Sequence, residues 1–300
     1  MQIGIALPHI GPGAGPGAIA EVARAAEALG FASLWALDRL LWPLEPTSKY
    51  PGNREGWIPE AMQNTYDPFT VLSFAAARTE KALLGTSVLV ASYRSPLIVA
   101  KMAATLDQLS RGRLILGVGA GWSADEFSSS NQQLADRDDL TDEFLKIVKH
   151  LWTAEESSFE GKFYRIPKAI FLPKPLQRPA PAIWIGGNSG RALKRAAEFG
   201  DAWHPTNRIG PARLAARMAE LRALARAAGR DPQAISATVR WNASALAQSF
   251  TAAEVLDRLR EYQAVGVNHV CFDFNIPQPC PVGRILETME RLMREVVPHL

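Results

Sequence analysis

The chain has 300 residues, 47% apolar and 21% charged, which is enough to build a large core and unlike a disordered segment. Its formal charge of +3 comes with 33 Lys and Arg spread along the whole sequence, which argues against nucleic acid as the main partner; the small excess would suit an anionic small molecule, though ordinary surface charge explains it better. Cys271 and Cys280 form neither a disulfide framework nor a zinc pairing, no apolar run approaches the roughly 18 residues of a membrane span, and MQIGIALP at the N-terminus shows no leader; a cytoplasmic protein is expected.

In chain order, Ile3 to Leu7 is a short apolar strand ended by Pro8, and after the Gly/Pro-rich stretch Gly11 to Gly17 an Ala-rich helical pattern runs through Leu29. Gly30 signals the end of that helix, and Ser33 to Leu37 is the next strand. The alternation continues with helix Pro68 to Arg78, strand Leu83 to Leu89, helix Pro96 to Leu109, strand Leu114 to Gly117 and helix Thr141 to Trp152. Strand Ala182 to Gly186, helix Ser189 to Phe199, strand Asp201 to His204 and helix Pro211 to Ala228 follow. Strand Ala237 to Trp241, helix Ala252 to Ala264, strand His269 to Phe274 and helix Val282 to Val296 complete eight repeats.

Such alternation implies parallel strands with helical crossovers, and eight repeats in this length favour an α/β fold closed as a (β/α)8 barrel, a single domain over residues 1–300. Two long interruptions, Leu41 to Asp67 and Thr153 to Pro181, are expected to build the mouth at the C-terminal ends of the strands.

Gly117-Val118-Gly119-Ala120-Gly121-Trp122 lacks the last small residue of a dinucleotide fingerprint, because Trp122 stands there, so close backbone packing explains these glycines better. In Ile185-Gly186-Gly187-Asn188-Ser189-Gly190-Arg191 a strand runs through glycines straight into a helix. That order fits a phosphate cradle of free N–H groups with Ser189 and Arg191 beside it; it fits equally an ordinary turn with Ser189 as the helix cap.

His9, His150, His204, His269 and His299 are scattered without metal-ligand spacing, so no metal is expected. His9 and His204 follow strands and fall on the functional face, whereas His269 precedes its strand and falls on the opposite one. Asp38 and Arg39 close the second strand, as rim residues or as a structural ion pair. Trp35, Trp42, Trp57, Trp122, Trp203 and Trp241 could together face an extended aromatic ligand. No nucleophile elbow or Cys-His arrangement is present, and no Lys ends a strand as a Schiff-base aldolase would need.

Taken together, Leu29-Gly30-Phe31, Ser33-Leu34-Trp35 with Asp38, Tyr66-Asp67-Pro68-Phe69, Leu84 to Leu89, Leu106 to Leu114, Gly117 to Trp122 with Glu126-Phe127, Leu151-Trp152, Pro173-Lys174-Pro175, Ile183 to Gly187 and Gly200 to Trp203 form an ordered series. In that series the chain resembles the bacterial luciferase-like monooxygenases, and in particular their F420-type branch, over roughly residues 1–275. The resemblance implies a barrel that binds F420 or FMN and transfers hydride at the flavin ring, with or without oxygen, and it implies a homodimer. Cofactor contacts are then expected from Asp38, Ser87, Val88, Gly119, Trp122 and Gly186 through Arg191, and a proton donor among His9, Asp38 and His204, with Asp273 as a further rim residue. It also implies a cis peptide bond between Ser87 and Val88, in a bulge behind the ring. Two departures stand out: Arg39 where the family often has His, and Trp122 where some F420 dehydrogenases carry Glu. A barrel that binds the cofactor without turning it over is the alternative.

Overall fold

Each short apolar strand is followed by a helix long enough to carry the chain back to its starting edge, so successive strands pair in parallel. In the computed structural model, which describes residues 1–206 and 209–300, these strands close into a barrel. The elements are β1 (Gln2–Ala6), α1 (Pro16–Leu29), β2 (Ser33–Ala36), α2 (Pro68–Ala76), β3 (Leu83–Thr86), β4 (Leu89–Val90), α3 (Pro96–Leu109), β5 (Leu114–Gly119), α4 (Ala124–Ser129) and α5 (Arg137–Thr153). They continue with β6 (Glu156–Glu160), β7 (Arg165–Ile170), β8 (Ala182–Gly186), α6 (Gly190–Phe199), β9 (Ala202–His204), α7 (Pro211–Ala227), β10 (Ser236–Asn242), α8 (Ala252–Ala264), β11 (Val267–Asp273) and α9 (Val282–Arg291).

The ring runs β1, β2, β3, β5, β8, β9, β10, β11 and back to β1, every pairing parallel. Helices bury one stripe against it: Ile19, Val22, Ala23 and Ala26 on α1, and Leu140, Phe144, Val148 and Leu151 on α5, spaced at three and four residues as a helical face requires. Gly30 ends α1 in the left-handed region at φ 88°, as the sequence predicts. Inside the barrel, Trp35 packs 4.7 Å from Trp184 and 5.5 Å from His204 between ring centroids, and His269 lies 5.0 Å from Trp184. These large rings plug the interior, and the mouth cavity lies above them, at the C-terminal ends of the strands.

Several expectations change. The strand expected over Leu83 to Leu89 breaks after Thr86, and the Ser87–Val88 peptide bond is cis, as the resemblance implies; β4 then pairs with the end of β5. The last strand begins two residues early, at Val267, so His269 lies inside it and hydrogen-bonds Ser33 Oγ at 2.7 Å. The helix expected from Thr141 starts at Arg137, and α4 precedes it.

The two insertions part company. The first contributes Tyr50, Pro51 and Met62 to the mouth. The second follows the C-terminal end of α5, at the foot of the barrel, and folds back as the antiparallel hairpin of β6 and β7. The hairpin tip is tied to α5 where the Glu143 carboxylate accepts from the amides of Lys162, Phe163 and Tyr164, and no residue of the hairpin lines the mouth. The reason is directional: a segment that follows a helix starts at the opposite end from one that follows a strand.

Candidate active site

The mouth holds a cavity of about 420 Å³, in the range of small-molecule and cofactor sites. Its floor is the bulge between β3 and β4. The Val88 side chain rests on β5 and β8 where those strands carry no Cβ: one added at Gly119 would lie 2.7 Å from Val88 Cγ2, and one at Gly186 would lie 2.8 Å from Val88 Cγ1. Both contacts are too close for real atoms, so the two glycine motifs exist to seat the bulge.

At one end of the cavity Gly187, at φ 105°, turns the chain from β8 into α6. Ser189 Oγ caps that helix by accepting from the Ala192 amide at 3.1 Å. The amides of Gly190 and Arg191, first in the helix, have no partner among the described residues, and a helix start favours an anion. Gly186, Gly187, Asn188 and Ser189 line the cavity, as do Arg137 and Arg195; the side chain of Arg191 does not. Its guanidinium pairs outside with Asp139 at 2.5 Å and Asp142 at 2.9 Å. Arg195, buried, is bound to Asp138 and Asp142.

The rim is built from buried ion pairs. Asp38 accepts from Arg94 Nη1 at 2.6 Å, Arg94 Nη2 at 2.8 Å and the Val90 amide at 3.0 Å, which ties the second strand to the segment after β4. Arg39 pairs with Glu126 at 3.3 Å and lies under Trp122, its guanidinium carbon 5.0 Å from the ring centroid. Glu126 is fixed by the Leu40 amide at 2.7 Å, the Leu41 amide at 3.3 Å and the Tyr93 hydroxyl at 3.2 Å. Burial and the nearby Glu126 carboxylate raise the Tyr93 pKa, so its phenol keeps its proton.

Arg240 lines the cavity from β10, donating to Asp273 through Nε at 2.8 Å and also through Nη2, and to the Ser87 carbonyl through Nη1 at 3.2 Å. Asp273, expected at the rim, is therefore buried beneath Arg240. Burial alone would raise its pKa, but Arg240 and the Asn275 hydrogen bonds outweigh that and hold it below the usual carboxylate range.

Neither expected histidine opens into the cavity. His9 is fully buried and spends both nitrogens on backbone, Nδ1 on the Leu7 carbonyl at 2.7 Å and Nε2 on the Leu37 amide at 3.0 Å; burial lowers its pKa. His204 sits one layer down. Thr238 donates to the Trp203 carbonyl at 3.1 Å and so accepts from His204 Nδ1 at 2.6 Å, which leaves Nε2 to accept from Ser87 Oγ at 2.9 Å. Burial first, and Arg240 and His269 after it, push the His204 pKa down to about 3, so it is neutral at pH 7. The relay orients Ser87, a residue of the cavity lining, with its hydroxyl proton given inward to His204.

Of the six tryptophans expected at the mouth, Trp122 alone lines this cavity: Trp35 and Trp203 are fully buried, Trp42 packs against the cluster of Ile10, Leu37 and Ile58, Trp241 packs on Phe272, and Trp57 is on the surface. Sequence reasoning missed Arg94, Arg137, Arg195, Arg240 and Tyr50. Glu126 was visible only as part of a motif.

The luciferase-like monooxygenase family model matches residues 1–270. An uncharacterised protein of Mycobacterium tuberculosis is 30% identical over 260 residues, 84% of this chain and 86% of that one. An FMNH2-dependent dimethylsulfone monooxygenase of Pseudomonas putida is 34% identical over 169 residues, 55% of this chain and 46% of its own length. Among solved structures, an F420-dependent secondary alcohol dehydrogenase in complex with an F420-acetone adduct superposes with a TM-score of 0.80 over 100% of this chain and 99% of that one, at 21% identity.

Proposed function

The chain belongs to the luciferase-like monooxygenase family, whose members are flavin- or F420-dependent oxidoreductases, and from that premise we propose that it binds reduced F420 or FMN across the barrel mouth and there either reduces a small organic substrate by hydride transfer or, with oxygen as co-substrate, oxygenates it. The observation that carries this is the Val88 bulge seated on Gly119 and Gly186 beside the open start of α6 in one cavity. A flat ring needs an uninterrupted wall and a phosphorylated tail needs donors, and the two stand side by side. The residues therefore fit either cofactor: the amides of Gly190 and Arg191 with Asn188 and Arg137 for the phosphate, and Ser87, Val88 and Gly119 for the ring.

When bound, the cofactor supplies the hydride. The protein's share is position and water exclusion. The Asp38–Arg94 pair locks the rim, Arg240 holds the Ser87 carbonyl, and the His204 relay fixes the Ser87 hydroxyl with its proton given inward. His9 and His204, neutral and engaged with protein groups, are not the proton donors in this reading, and Asp38 acts through Arg94 as a positioning group.

Anaerobic mixing with reduced FMN or reduced F420, followed by absorbance after addition of oxygen or of a carbonyl panel, tests the proposal. Substrate-dependent cofactor oxidation with product formed in excess of the protein, absent from a protein-free control, supports an enzyme. Saturable binding without consumption of electrons would leave the non-catalytic cofactor-binding barrel instead. We propose in addition that the chain pairs with a second copy; light scattering that returns the 32.7 kDa of one chain at all concentrations would end that proposal.

A further inference from the structure

Arg39 is 93% buried by its 7% exposure, yet its Nε and Nη2 have no hydrogen-bond partner among the described residues. The one contact of its guanidinium with an acceptor is Nη1 to Glu126 at 3.3 Å. A buried donor without an acceptor is costly, and a guanidinium with two of them calls for an acceptor that the protein does not supply. The other buried cations of the cavity are provided for, Arg240 by Asp273 and the Ser87 carbonyl and Arg195 by Asp138 and Asp142, whereas Arg137, paired loosely with Asp138 at 3.8 Å, is half-exposed and has water for its donors. Nε–H and Nη2–H form one edge of the guanidinium, and two parallel N–H groups match the two oxygens of a carboxylate.

The surroundings describe the rest of the ligand. Arg39 lines the mouth cavity together with Trp122, Tyr50 and Met62, and Trp122 covers its face. Behind them the apolar cluster of Ile10, Leu37 and Ile58 continues the same wall. We infer that the substrate carries a carboxylate that docks on the Nε/Nη2 edge of Arg39, with its apolar or aromatic body against Trp122, Tyr50 and Met62. Arg39 is thus the specificity-determining residue of the site. Both nitrogens are shielded from solvent, so docking requires the Arg39 guanidinium to shift beside Trp122, which changes the environment of that indole. This assignment rests on the reading of the mouth as an oxidoreductase site, but its test does not depend on turnover.

Calorimetric titration of the full chain with benzoate and with benzamide, its neutral isostere, decides it, with and without saturating FMN or F420. The expected result is benzoate binding at least tenfold tighter than benzamide, with that preference lost in Arg39→Gln and partly kept in Arg39→Lys, as a charge-assisted bidentate pair implies roughly a ten- to hundredfold effect. Tryptophan fluorescence should respond to benzoate in the native chain and not in Trp122→Phe. Equal affinity for the two probes, no benzoate binding at all, or an unchanged preference in Arg39→Gln overturns the assignment; circular dichroism of both Arg39 variants checks that they are folded, and Arg39→Lys serves if the glutamine variant is not. Failure of the chain to bind either cofactor while benzoate binds as described would sink the functional reading and leave the carboxylate site standing.

Discussion

Two arginines at opposite ends of the barrel have the same 7% exposure and opposite circumstances. At the foot, Arg113 uses every donor it has: Nε on the Ser110 carbonyl at 2.7 Å, Nη1 on Thr79 Oγ1 and the Ala82 carbonyl, Nη2 on the Ala76 and Thr79 carbonyls. Beside it Asp107 accepts from the Leu114, Leu176 and Gln177 amides and the Gln177 side chain. At the mouth, Arg39 has one acceptor among the described residues and two nitrogens, Nε and Nη2, with none. Burial of a charge therefore says little by itself; what separates a clamp from a binding group is how many of its donors the protein has already used.

The sharpest way to break this comparison is to remove each arginine in turn. Arg113→Ala strips five donors from loops that meet at the foot and should cost about 3 to 4 kcal/mol in urea unfolding, with ligand binding at the mouth unchanged in the folded fraction. Arg39→Gln, in the same assay, should cost less than about 1.5 kcal/mol, because Glu126 keeps the Leu40 and Leu41 amides and the Tyr93 hydroxyl. Equal losses for both would erase the distinction.

Between the two ends lies the plug of His204 and His269, whose pKa values burial lowers to about 3 and about 4 from an ordinary 6.5. Unfolded, both take up protons as the pH falls below 6.5; folded, they do not until about pH 4. Their contribution is thus present above pH 6.5 and is lost on acidification, about 2 kcal/mol for the two together between pH 6.5 and 5.5. Chemical denaturation at a series of pH values measures it, and a stability flat across that interval would show that the plug titrates normally.

Smaller effects sharpen the picture of the mouth. Gly186→Ala drives a methyl against Val88 and should weaken FMN or F420 binding about tenfold, some 1.4 kcal/mol, by displacing the bulge. Arg191→Ala should shift cofactor affinity by less than about 0.5 kcal/mol, because its guanidinium is held by Asp139 and Asp142 outside the cavity. An affinity lost with Arg191 and kept in Gly186→Ala would put the phosphate contact back on that side chain.

The fold was legible because eight apolar strands and eight amphipathic helices announce themselves locally. The glycines of β5 were legible as close-packing positions, though not what they pack against, whereas Gly186 of β8 was legible only as part of a phosphate cradle or turn. What escaped are contacts made by closure of the ring: Asp38 meets Arg94 56 residues on, and Arg240 reaches the Ser87 carbonyl across 153. No spacing rule connects such residues. The β6–β7 hairpin escaped for a different reason, since strands such as Arg165–Ile170 are largely exposed and carry no alternating apolar face. His9 and His204 were placed at the correct end of their strands, but position on a strand does not reveal whether a ring faces the cavity or spends both nitrogens on the protein.

Equilibrium titration of the purified chain with FMN and with F420, each oxidised and reduced, tests the central claim most directly. The account predicts saturable binding of one reduced cofactor per chain, weakened about tenfold in Gly186→Ala and unchanged in Arg191→Ala. Absence of binding by either cofactor up to millimolar concentration, or binding indifferent to Gly186, would contradict it.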